Sequence, residues 1–159
     1  MTAAAAALPD GAQVVHLTGR GKDAPVREAV RAAGVGERWL VIEYLSQMED
    51  ALAVADLVVC RSGAGTVAEM EALGLPCVYV PLPIGNGEQR LNAADHVAAG
   101  GAQLFADKDF TADVVRNTVF PLLGSARLDG MASASRQLGR AGAAAELAGI
   151  VIDVARGEN

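Results

Sequence analysis

The fold of this chain is decided by one stretch of sequence, LVVCRSGAGTVAEMEALGLP at residues 57–76. Its first four residues, Leu57–Cys60, form a short apolar run that is typical of a parallel strand covered on both faces. Gly63 and Gly65 follow, and glycines at such positions let the backbone turn and allow another group to come close. The stretch therefore predicts a strand, then a glycine loop, then a helix.

The helix of this stretch is expected to begin near Thr66. Thr66 is a suitable N-cap residue, and Glu69 lies three residues further on, at the spacing of a capping box. Gly74 and Pro76 are predicted to end the helix. The buried face of the helix is predicted to carry three apolar residues, which are Val67, Met70 and Leu73.

A glycine loop between a strand and a helix is a candidate anion site. The first backbone N–H groups of a helix have no partner within the helix, and the helix dipole is positive at that end. A phosphate group is the usual ligand of such a site. The alternative is a tight turn without a ligand, in which Glu69 serves only the capping box, and the loop alone does not decide between the two.

Length and composition limit the possible classes of protein. The 159 residues suit a single domain, residues 1–159, and with 52% hydrophobic but only 4% aromatic residues its core must consist mainly of Ala, Val and Leu. The formal net charge of -6 argues against a nucleic-acid partner, and no apolar run is long enough to span a membrane. Cys60 and Cys77 are predicted to be reduced core residues, and the cysteines and histidines do not support a zinc site.

Strands and helices are predicted to alternate along the chain. Such alternation predicts an α/β fold, with a Rossmann-like parallel sheet and helices on both faces. The predicted strands are Gln13–Leu17, Trp39–Tyr44, Leu57–Cys60, Cys77–Val80 and Ala102–Phe105. The other predicted helices are Met1–Ala7 (the end of a helix), Ala24–Ala33, Met48–Ala55, Glu88–Ala99, Thr111–Leu122, Asp129–Leu138 and Gly142–Ala155.

Four loops are expected to leave the carboxyl ends of these strands. Ligands of open parallel sheets bind outside those ends. The loops are Thr18–Lys22, Leu45–Met48, Arg61–Thr66 and Leu82–Gln89, and together they are predicted to line one crevice.

The last of these loops carries a second candidate binding motif. Glu88, Gln89 and Asn92 lie at the start of a helix, and carboxylate and amide groups can bind several sugar hydroxyls in a fixed geometry. A solvated helix start with a favourably placed acidic residue is the simpler interpretation, and the motif alone favours it.

Other candidate motifs predict little. Asp107-Lys108-Asp109 has the form of a metal-binding Asp-x-Asp pair, but its place before a helix favours a capping role for Asp109. His16 is expected to be structural, and His96 is expected on a partly solvated helix face. The sequence contains no Gly-x-Ser-x-Gly elbow, no P-loop, and no Gly-x-Gly-x-x-Gly after the first strand.

Two motifs in order along the chain resemble the MurG family of bacterial glycosyltransferases. The first is Arg61–Glu69 with Gly74-Leu75-Pro76 behind it, and the second is Pro81-Leu82-Pro83 followed by Glu88–Ala93. The resemblance runs from Val14 through nearly the whole chain, and the two motifs at this separation are highly specific. It implies that the chain is similar to the C-terminal, donor-binding half of a GT-B glycosyltransferase.

The resemblance also implies a set of donor-binding residues. Leu45 would contact the uracil, Glu69 the ribose hydroxyls, and Glu88 and Gln89 the hydroxyls of N-acetylglucosamine. The family commonly has Gln at the position of Glu88, and the change to Glu keeps an acceptor but loses an amide donor. The loop and helix start around the diphosphate would consist of Ser62, Gly63, Ala64, Gly65 and Thr66.

The activity implied for the complete protein is an inverting transfer in peptidoglycan synthesis. N-acetylglucosamine would move from UDP-N-acetylglucosamine to the muramyl-pentapeptide on undecaprenyl pyrophosphate, without a cofactor or a metal. This chain would supply donor binding and no catalytic residue, and the N-terminal domain would supply the lipid-linked acceptor site and the base. The full-length protein would be cytoplasmic and peripheral on the cytoplasmic face of the cell membrane.

The chain also departs from the family pattern. The family's N-terminal domain and the first strand of its C-terminal domain have no counterpart here, so the chain is expected to be a fragment or one piece of a split gene. Unpaired strand edges next to a lost strand would favour self-association. Two alternatives remain open, a subunit of a split glycosyltransferase that needs a partner chain and a non-catalytic module that binds a UDP-sugar.

Overall fold

The computed structural model of the chain describes residues 1–139 and 142–157. In this part of the chain it contains five short strands, each within two residues of its predicted bounds: β1 (Val14–Leu17), β2 (Trp39–Ile42), β3 (Val58–Cys60), β4 (Cys77–Tyr79) and β5 (Ala102–Leu104).

Helices connect the strands, as the alternating pattern predicts. A 3-10 helix, Thr2–Ala7, precedes β1, and a 3-10 turn, Asp107–Asp109, follows β5. The α-helices are α1 (Ala24–Ala32), α2 (Met48–Ala53), α3 (Ala64–Leu73), α4 (Glu88–Asn92), α5 (Ala94–Ala98), α6 (Ala112–Val114), α7 (Ala126–Leu138) and α8 (Ala143–Arg156). None of the helices in the described residues is both long enough and apolar enough to cross a membrane.

The strands pair in parallel, but they form two sheets rather than one. β1 pairs with β2, and β3, β4 and β5 form a second sheet in that order. The registers place Val15 beside Leu40 in the first sheet and Val59 beside Val78 in the second. The predicted parallel pairing is confirmed, and the sheet is divided between β1 and β3.

The central strand β4 separates two hydrophobic clusters. Successive side chains of a strand point to opposite faces, so Val78 belongs to the larger cluster while Cys77 and Tyr79 belong to the smaller one. All three side chains are fully buried. The larger cluster also contains Trp39 from β2, and residues from both sheets therefore share one core.

The predicted N-cap of α3 was wrong by three residues. Gly63, in an extended conformation, is the N-cap, and no side chain caps the helix. Thr66 therefore lies inside the first turn, and the capping box with Glu69 does not form. Val67 and Met70 are buried as predicted, but Leu73 is 54% exposed, because two steps of three residues from Val67 rotate it away from the apolar face. Gly74 ends the helix in the left-handed conformation, as expected.

Two predicted helices are broken in the structure. The expected helix Glu88–Ala99 divides at Ala93 into α4 and α5. The segment expected as the helix Thr111–Leu122 has Thr111 rather than Asp109 as its N-cap, and the Thr111 hydroxyl accepts a bond from the Val114 amide. It then continues as a π-helical turn, Val115–Val119, and a 3-10 turn, Phe120–Leu122.

Candidate functional site

The N-terminus of α3 is open. No side-chain oxygen caps its first amides, and neither Gly63 nor Gly65 has the positive φ that would make a glycine necessary. A Cβ placed on Gly65 would meet no atom within 4 Å. The glycines therefore leave space above free backbone N–H groups at the positive end of a helix, which is the arrangement that binds anions.

Glu69 stands one turn into α3 and is free to bind a ligand. Its side chain is exposed, and among the described residues it makes no hydrogen bond and no ion pair. The absence of the capping box releases this carboxylate from the structural role that was its alternative interpretation. An exposed carboxylate next to an anion site can accept hydrogen bonds from a pair of hydroxyl groups.

Ser62 connects this loop to the motif around Glu88. Its side chain is fully buried, and its hydroxyl has no hydrogen-bond partner in the described structure. Its backbone carbonyl accepts a 3.1 Å hydrogen bond from the Asn92 side-chain amide. Asn92, which the sequence placed among possible sugar-binding groups, therefore holds α4 against the loop that precedes α3.

Arg61 joins the ends of three strands. Its Nη1 donates to the carbonyl oxygens of Val80 at 2.9 Å and Pro81 at 3.1 Å, at the end of β4. The same nitrogen lies 2.5 Å from Oδ1 of Asp107, in the turn after β5. Arg61 itself follows β3, so one guanidinium fixes the loop that leads to Glu88 relative to the neighbouring loops.

Glu88 and Gln89 begin α4 behind Gly87, which adopts a left-handed conformation with φ of 79°. Glu88 is exposed, whereas Gln89 is partly buried and its side-chain oxygen accepts a 2.9 Å hydrogen bond from the Leu82 amide. That contact closes the loop on itself and orients Gln89. A cavity of about 240 Å³ lies beside it, lined by the same loop together with Leu104, Ala106 and Asp107.

The other two loops at the strand ends also contact each other. The Gly21 amide donates a 3.0 Å hydrogen bond to Oε1 of Glu43, and the guanidinium of Arg20 lies 4.8 Å from the centre of the Tyr44 ring. Leu45, the predicted uracil contact, follows directly and is partly buried. These contacts link the four loops in two pairs through the residues that flank them. Thr18–Lys22 contacts Glu43 and Tyr44, which precede Leu45–Met48. Arg61–Thr66 contacts Val80, Pro81 and Asn92, which flank Leu82–Gln89.

A buried polar network, which the sequence did not predict, joins β4, α5 and α7. His96 is fully buried, so its expected place on a solvated face was wrong. The Ser135 hydroxyl donates to the Met131 carbonyl at 3.0 Å, so it accepts from His96 Nε2 at 2.7 Å. His96 Nδ1 is then free to accept from the Tyr79 hydroxyl at 2.9 Å, which fixes the ring between β4 and α7.

Burial changes the titration of this network. It lowers the pKa of His96 below its usual range, because the charged imidazolium loses its hydration. Burial is also the main cause of a raised pKa for Tyr79. In β1, burial followed by the positive charge of the chain's N-terminus lowers the pKa of His16. Both histidines are therefore neutral at neutral pH. His16 is a structural residue, as expected.

The groups considered for metal binding are used in other ways. Asp107 is paired with Arg61, and Asp107–Asp109 is a 3-10 turn rather than a helix cap. Within the described residues, no cluster of three or more His, Cys, Asp or Glu side chains is placed to hold a metal ion. Cys60 and Cys77 are free thiols, as predicted.

The fold and the open helix start define a class of protein. Parallel strands with covering helices, and binding groups gathered at the carboxyl ends of the strands, are the features of a Rossmann-like domain. Here that domain is the C-terminal half of a GT-B glycosyltransferase, as a solved structure shows. The Acinetobacter baumannii MurG crystal structure matches 94% of this chain and 44% of its own chain, with a TM-score of 0.82 and 25% identity.

The chain belongs to glycosyltransferase family 28. The model of the family's C-terminal domain matches residues 1–147. A structure of the glycosyltransferase VinC in complex with dTDP, 19% identical with a TM-score of 0.69 over 98% of this chain and 38% of its own, shows the same fold.

Curated relatives point to one activity. A protein of Rhodococcus erythropolis is 48% identical over 150 residues, and one of Paenarthrobacter aurescens is 44% identical over 155 residues. Both are named UDP-N-acetylglucosamine–N-acetylmuramyl-(pentapeptide) pyrophosphoryl-undecaprenol N-acetylglucosamine transferase. The matches cover 94% and 96% of this chain but only 38% and 41% of the relatives, so the chain spans about two fifths of their length.

Proposed function

We propose that this chain is the donor-binding part of a transferase that moves N-acetylglucosamine from UDP-N-acetylglucosamine to a muramyl-pentapeptide on undecaprenyl pyrophosphate. The observation that carries the proposal is the uncapped start of α3, with the free carboxylate of Glu69 one turn further and the Glu88 loop fixed beside it. A nucleotide sugar presents the matching groups, which are a diphosphate, a ribose with two neighbouring hydroxyls, and a sugar.

The diphosphate would lie at the helix start, near Gly63–Thr66. The amides there donate hydrogen bonds, and the helix dipole stabilises the negative charge that grows on the leaving UDP as the glycosidic bond breaks. We assign this stabilisation to the helix start rather than to a metal. Ser62 is enclosed, so in this arrangement it supports the loop through its carbonyl bond to Asn92.

The remaining parts of the donor would occupy the two loop pairs. Glu69 would accept hydrogen bonds from the ribose hydroxyls, and the uracil would lie against Leu45. The sugar hydroxyls would contact Glu88, as acceptor only, and Gln89, whose amide nitrogen remains available because its oxygen already binds Leu82.

The catalytic base and the lipid acceptor site are assigned to the part of the relatives that this chain does not span. The transfer inverts the anomeric centre, because the acceptor hydroxyl attacks from the side opposite the leaving UDP. In the complete protein the site would lie at the cytoplasmic face of the cell membrane, where the lipid-linked acceptor is exposed. The chain alone is therefore expected to bind the donor without transferring the sugar.

Calorimetric titration with UDP-N-acetylglucosamine tests the proposal. Glu69→Ala is expected to weaken binding at least tenfold, since a hydrogen bond to a charged group contributes about 1.5–3 kcal/mol. Glu71→Ala is the matched control, because it removes the same charge from the opposite side of α3 and is expected to leave the affinity unchanged.

Two results would contradict the proposal. One is a folded chain, by circular dichroism, that does not bind the donor at millimolar concentration. The other is an equal loss of affinity in the Glu69 and Glu71 variants, which would indicate a general effect of charge rather than a ribose contact. Sugar transfer by the purified chain would contradict the assignment of the base to another part of the protein.

A further inference from the structure

A second cavity, of about 560 Å³, lies beside β2 and outside the candidate donor site. Its walls are formed by α1, by residues 34–38, which lead into β2, and by β2 itself. We call it the arginine cavity, because Arg27, Arg31 and Arg38 line it. None of its lining residues belongs to the four loops at the carboxyl ends of the strands. Its volume lies in the range of about 300–1,000 Å³ that is typical of ligand pockets.

The arginine cavity borders the open edge of β2. The carbonyls of Arg38 and Ile42 accept hydrogen bonds at 2.8 and 3.0 Å from amides in β1 and just after it, so these two residues pair with β1. Backbone groups alternate in direction along a strand, and those of Trp39 and Val41 therefore point away from β1. No strand in the described residues pairs with that side of β2.

Only one of these outward backbone groups is occupied. Nη2 of Arg27 donates a 2.8 Å hydrogen bond to the Val41 carbonyl. The Val41 amide and both backbone groups of Trp39 have no partner in the described structure. The side chains of these two residues are buried, so they present mainly backbone to the cavity. An edge with unpaired backbone groups is a template for the addition of another strand.

The charge of the cavity is opposite to that of the chain. Three arginines and one acidic residue, Glu37, line it, whereas the whole chain has a formal net charge of -6. The half-buried Arg38 donates only to carbonyl oxygens, to Pro9 at 2.7 Å and Ala12 at 3.5 Å, and it forms no ion pair with a described residue. A half-buried guanidinium without a carboxylate partner favours an anionic ligand.

The other two arginines have partners that a ligand can replace. Nε of Arg27 lies 2.7 Å from Asp23, and Nη2 of Arg31 lies 2.6 Å from Glu28, within or next to α1. Both arginine side chains are exposed, and exposed ion pairs contribute little to stability. Their Nη1 groups make no hydrogen bond in the described structure, so both can also bind a further carboxylate.

We propose that the arginine cavity binds an extended acidic segment of a partner protein, which adds to the outer edge of β2 as a further strand. The backbone of the segment pairs with Trp39 and with the Val41 amide. Successive side chains of a strand point to opposite faces, so every second side chain enters the cavity. Glutamate or aspartate at those positions binds Arg38 and Arg31. This inference does not depend on the proposed donor, since the two sites share no residue.

The test uses a fluorescent hexapeptide of alternating threonine and glutamate, with both ends blocked, and no nucleotide sugar. Saturable binding is expected in fluorescence anisotropy. Hydrogen exchange measured by NMR is expected to slow at least tenfold for the amides of Trp39 and Val41 when the peptide is bound. The Leu40 amide, which faces β1, is the internal reference and is expected to exchange as before.

Variants of the arginines test the contribution of charge. Arg38→Gln is expected to weaken peptide binding at least tenfold, because it removes a charged hydrogen-bond donor. Arg31→Gln, at an exposed position, is expected to weaken binding at least threefold without changing the unfolding temperature. Arg116→Gln is the matched control, because it removes an exposed arginine that pairs with Asp113 in another part of the chain. If Arg38→Gln does not fold, the Arg31 variant and the exchange data decide the question.

Two further ligands separate strand addition from general attraction between charges. The same peptide with lysine in place of glutamate is expected not to bind, because it offers no carboxylate to the arginines. Blocked glutamate, a single residue with the same carboxylate, is expected to bind at least tenfold more weakly than the hexapeptide, because it cannot pair along the strand edge.

Four results would overturn the proposal. The first is the absence of saturable binding of the acidic peptide at millimolar concentration. The second is binding that leaves the exchange of the Trp39 and Val41 amides unchanged, which would place the peptide elsewhere. The third is an equal loss of affinity in the Arg31 and Arg116 variants, which would indicate a general effect of charge. The fourth is equal affinity for blocked glutamate and the hexapeptide, which would show an anion site without strand addition.

Discussion

The two sheets of this domain hold their binding loops in different ways. The loop pair beside β3–β5 is fixed by the guanidinium of Arg61 and by the bond from Asn92 to Ser62, and a buried network around His96 joins β4, α5 and α7. The loop pair beside β1–β2 is held by exposed contacts, the Arg20–Tyr44 stacking and the bond from Gly21 to Glu43. An exposed cation–π contact such as Arg20–Tyr44 contributes about 0.5–1 kcal/mol.

The two sheets would therefore bind different parts of the donor. The diphosphate and the sugar would be bound within the β3–β5 half, whose geometry is fixed internally. The uracil would be bound by the β1–β2 half, and its position relative to the rest of the donor depends on how the halves are joined. Variants that affect one half and not the other can therefore test the comparison.

The largest effect is expected on the free energy of unfolding, when Gly101→Ala adds a methyl group to the buried network around His96. A Cβ on Gly101 would lie 2.5 Å from ring atoms of His96 and from the Ser135 hydroxyl. Gly101→Ala is expected to lower the free energy of unfolding by about 1–3 kcal/mol, as overpacking of a close-packed core does, measured by urea denaturation. Gly130→Ala is the control, because the new methyl in α7 meets no atom within 4 Å and should raise stability by up to about 1 kcal/mol. Equal stability of the Gly101 variant and the parent would show that the network is not tightly packed.

A smaller effect, on ligand binding alone, is expected from Arg61→Ala. This variant releases the loop that leads to Glu88, so UDP-N-acetylglucosamine should bind about threefold to tenfold more weakly, which corresponds to roughly 1 kcal/mol. UDP, which lacks the sugar, should lose less affinity in the same titration. Arg116→Ala, which removes an exposed ion pair with Asp113 in the segment after α6, is the control. Equal losses for UDP and the nucleotide sugar would mean that Arg61 does not act through the sugar loop.

The smallest effect is expected on stability when the pH is lowered. It involves His16 beside β2 in one half of the domain and His96 beside β4 in the other. The pKa values of His16 and His96 are lowered in the folded chain, so the unfolded chain binds protons first as pH falls. Stability is then complete above the unfolded histidine pKa of about 6.5 and declines as pH drops below it. His96→Gln should remove part of this decline and leave the part due to His16, as followed by thermal unfolding between pH 7.5 and pH 5. An unchanged profile in the variant would contradict the assignment to His96.

Local sequence patterns predicted much of this fold, and the exceptions have physical causes. The strand, glycine loop and helix of residues 57–76 form as expected because strand composition, glycines and the Gly74 stop all agree. The cap at Thr66 was wrong because Gly63, already extended, lets the helix begin at once. The buried place of His96 was missed because it depends on the break at Ala93 and on contact with Ser135, 39 residues away.

The candidate site was predicted less completely than the fold. The site residues were identified through their resemblance to a family and not through periodicity, and their roles remain predictions. Arg61 was part of the quoted motif, but its role was not visible, because its partner Asp107 lies 46 residues further along the chain. The division of the sheet between β1 and β3 depends on which strand edges meet in space, and no local pattern predicts that.

The central claim is that one donor molecule spans both halves of this domain. The most direct measurement is NMR titration of the isotope-labelled chain with UDP-N-acetylglucosamine, following the amides of Leu45 in one half and of Gly65, Glu69 and Gln89 in the other. All four signals are expected to shift together and to saturate at a single donor concentration. Shifts confined to one half, or two groups of signals that saturate at different concentrations, would contradict it.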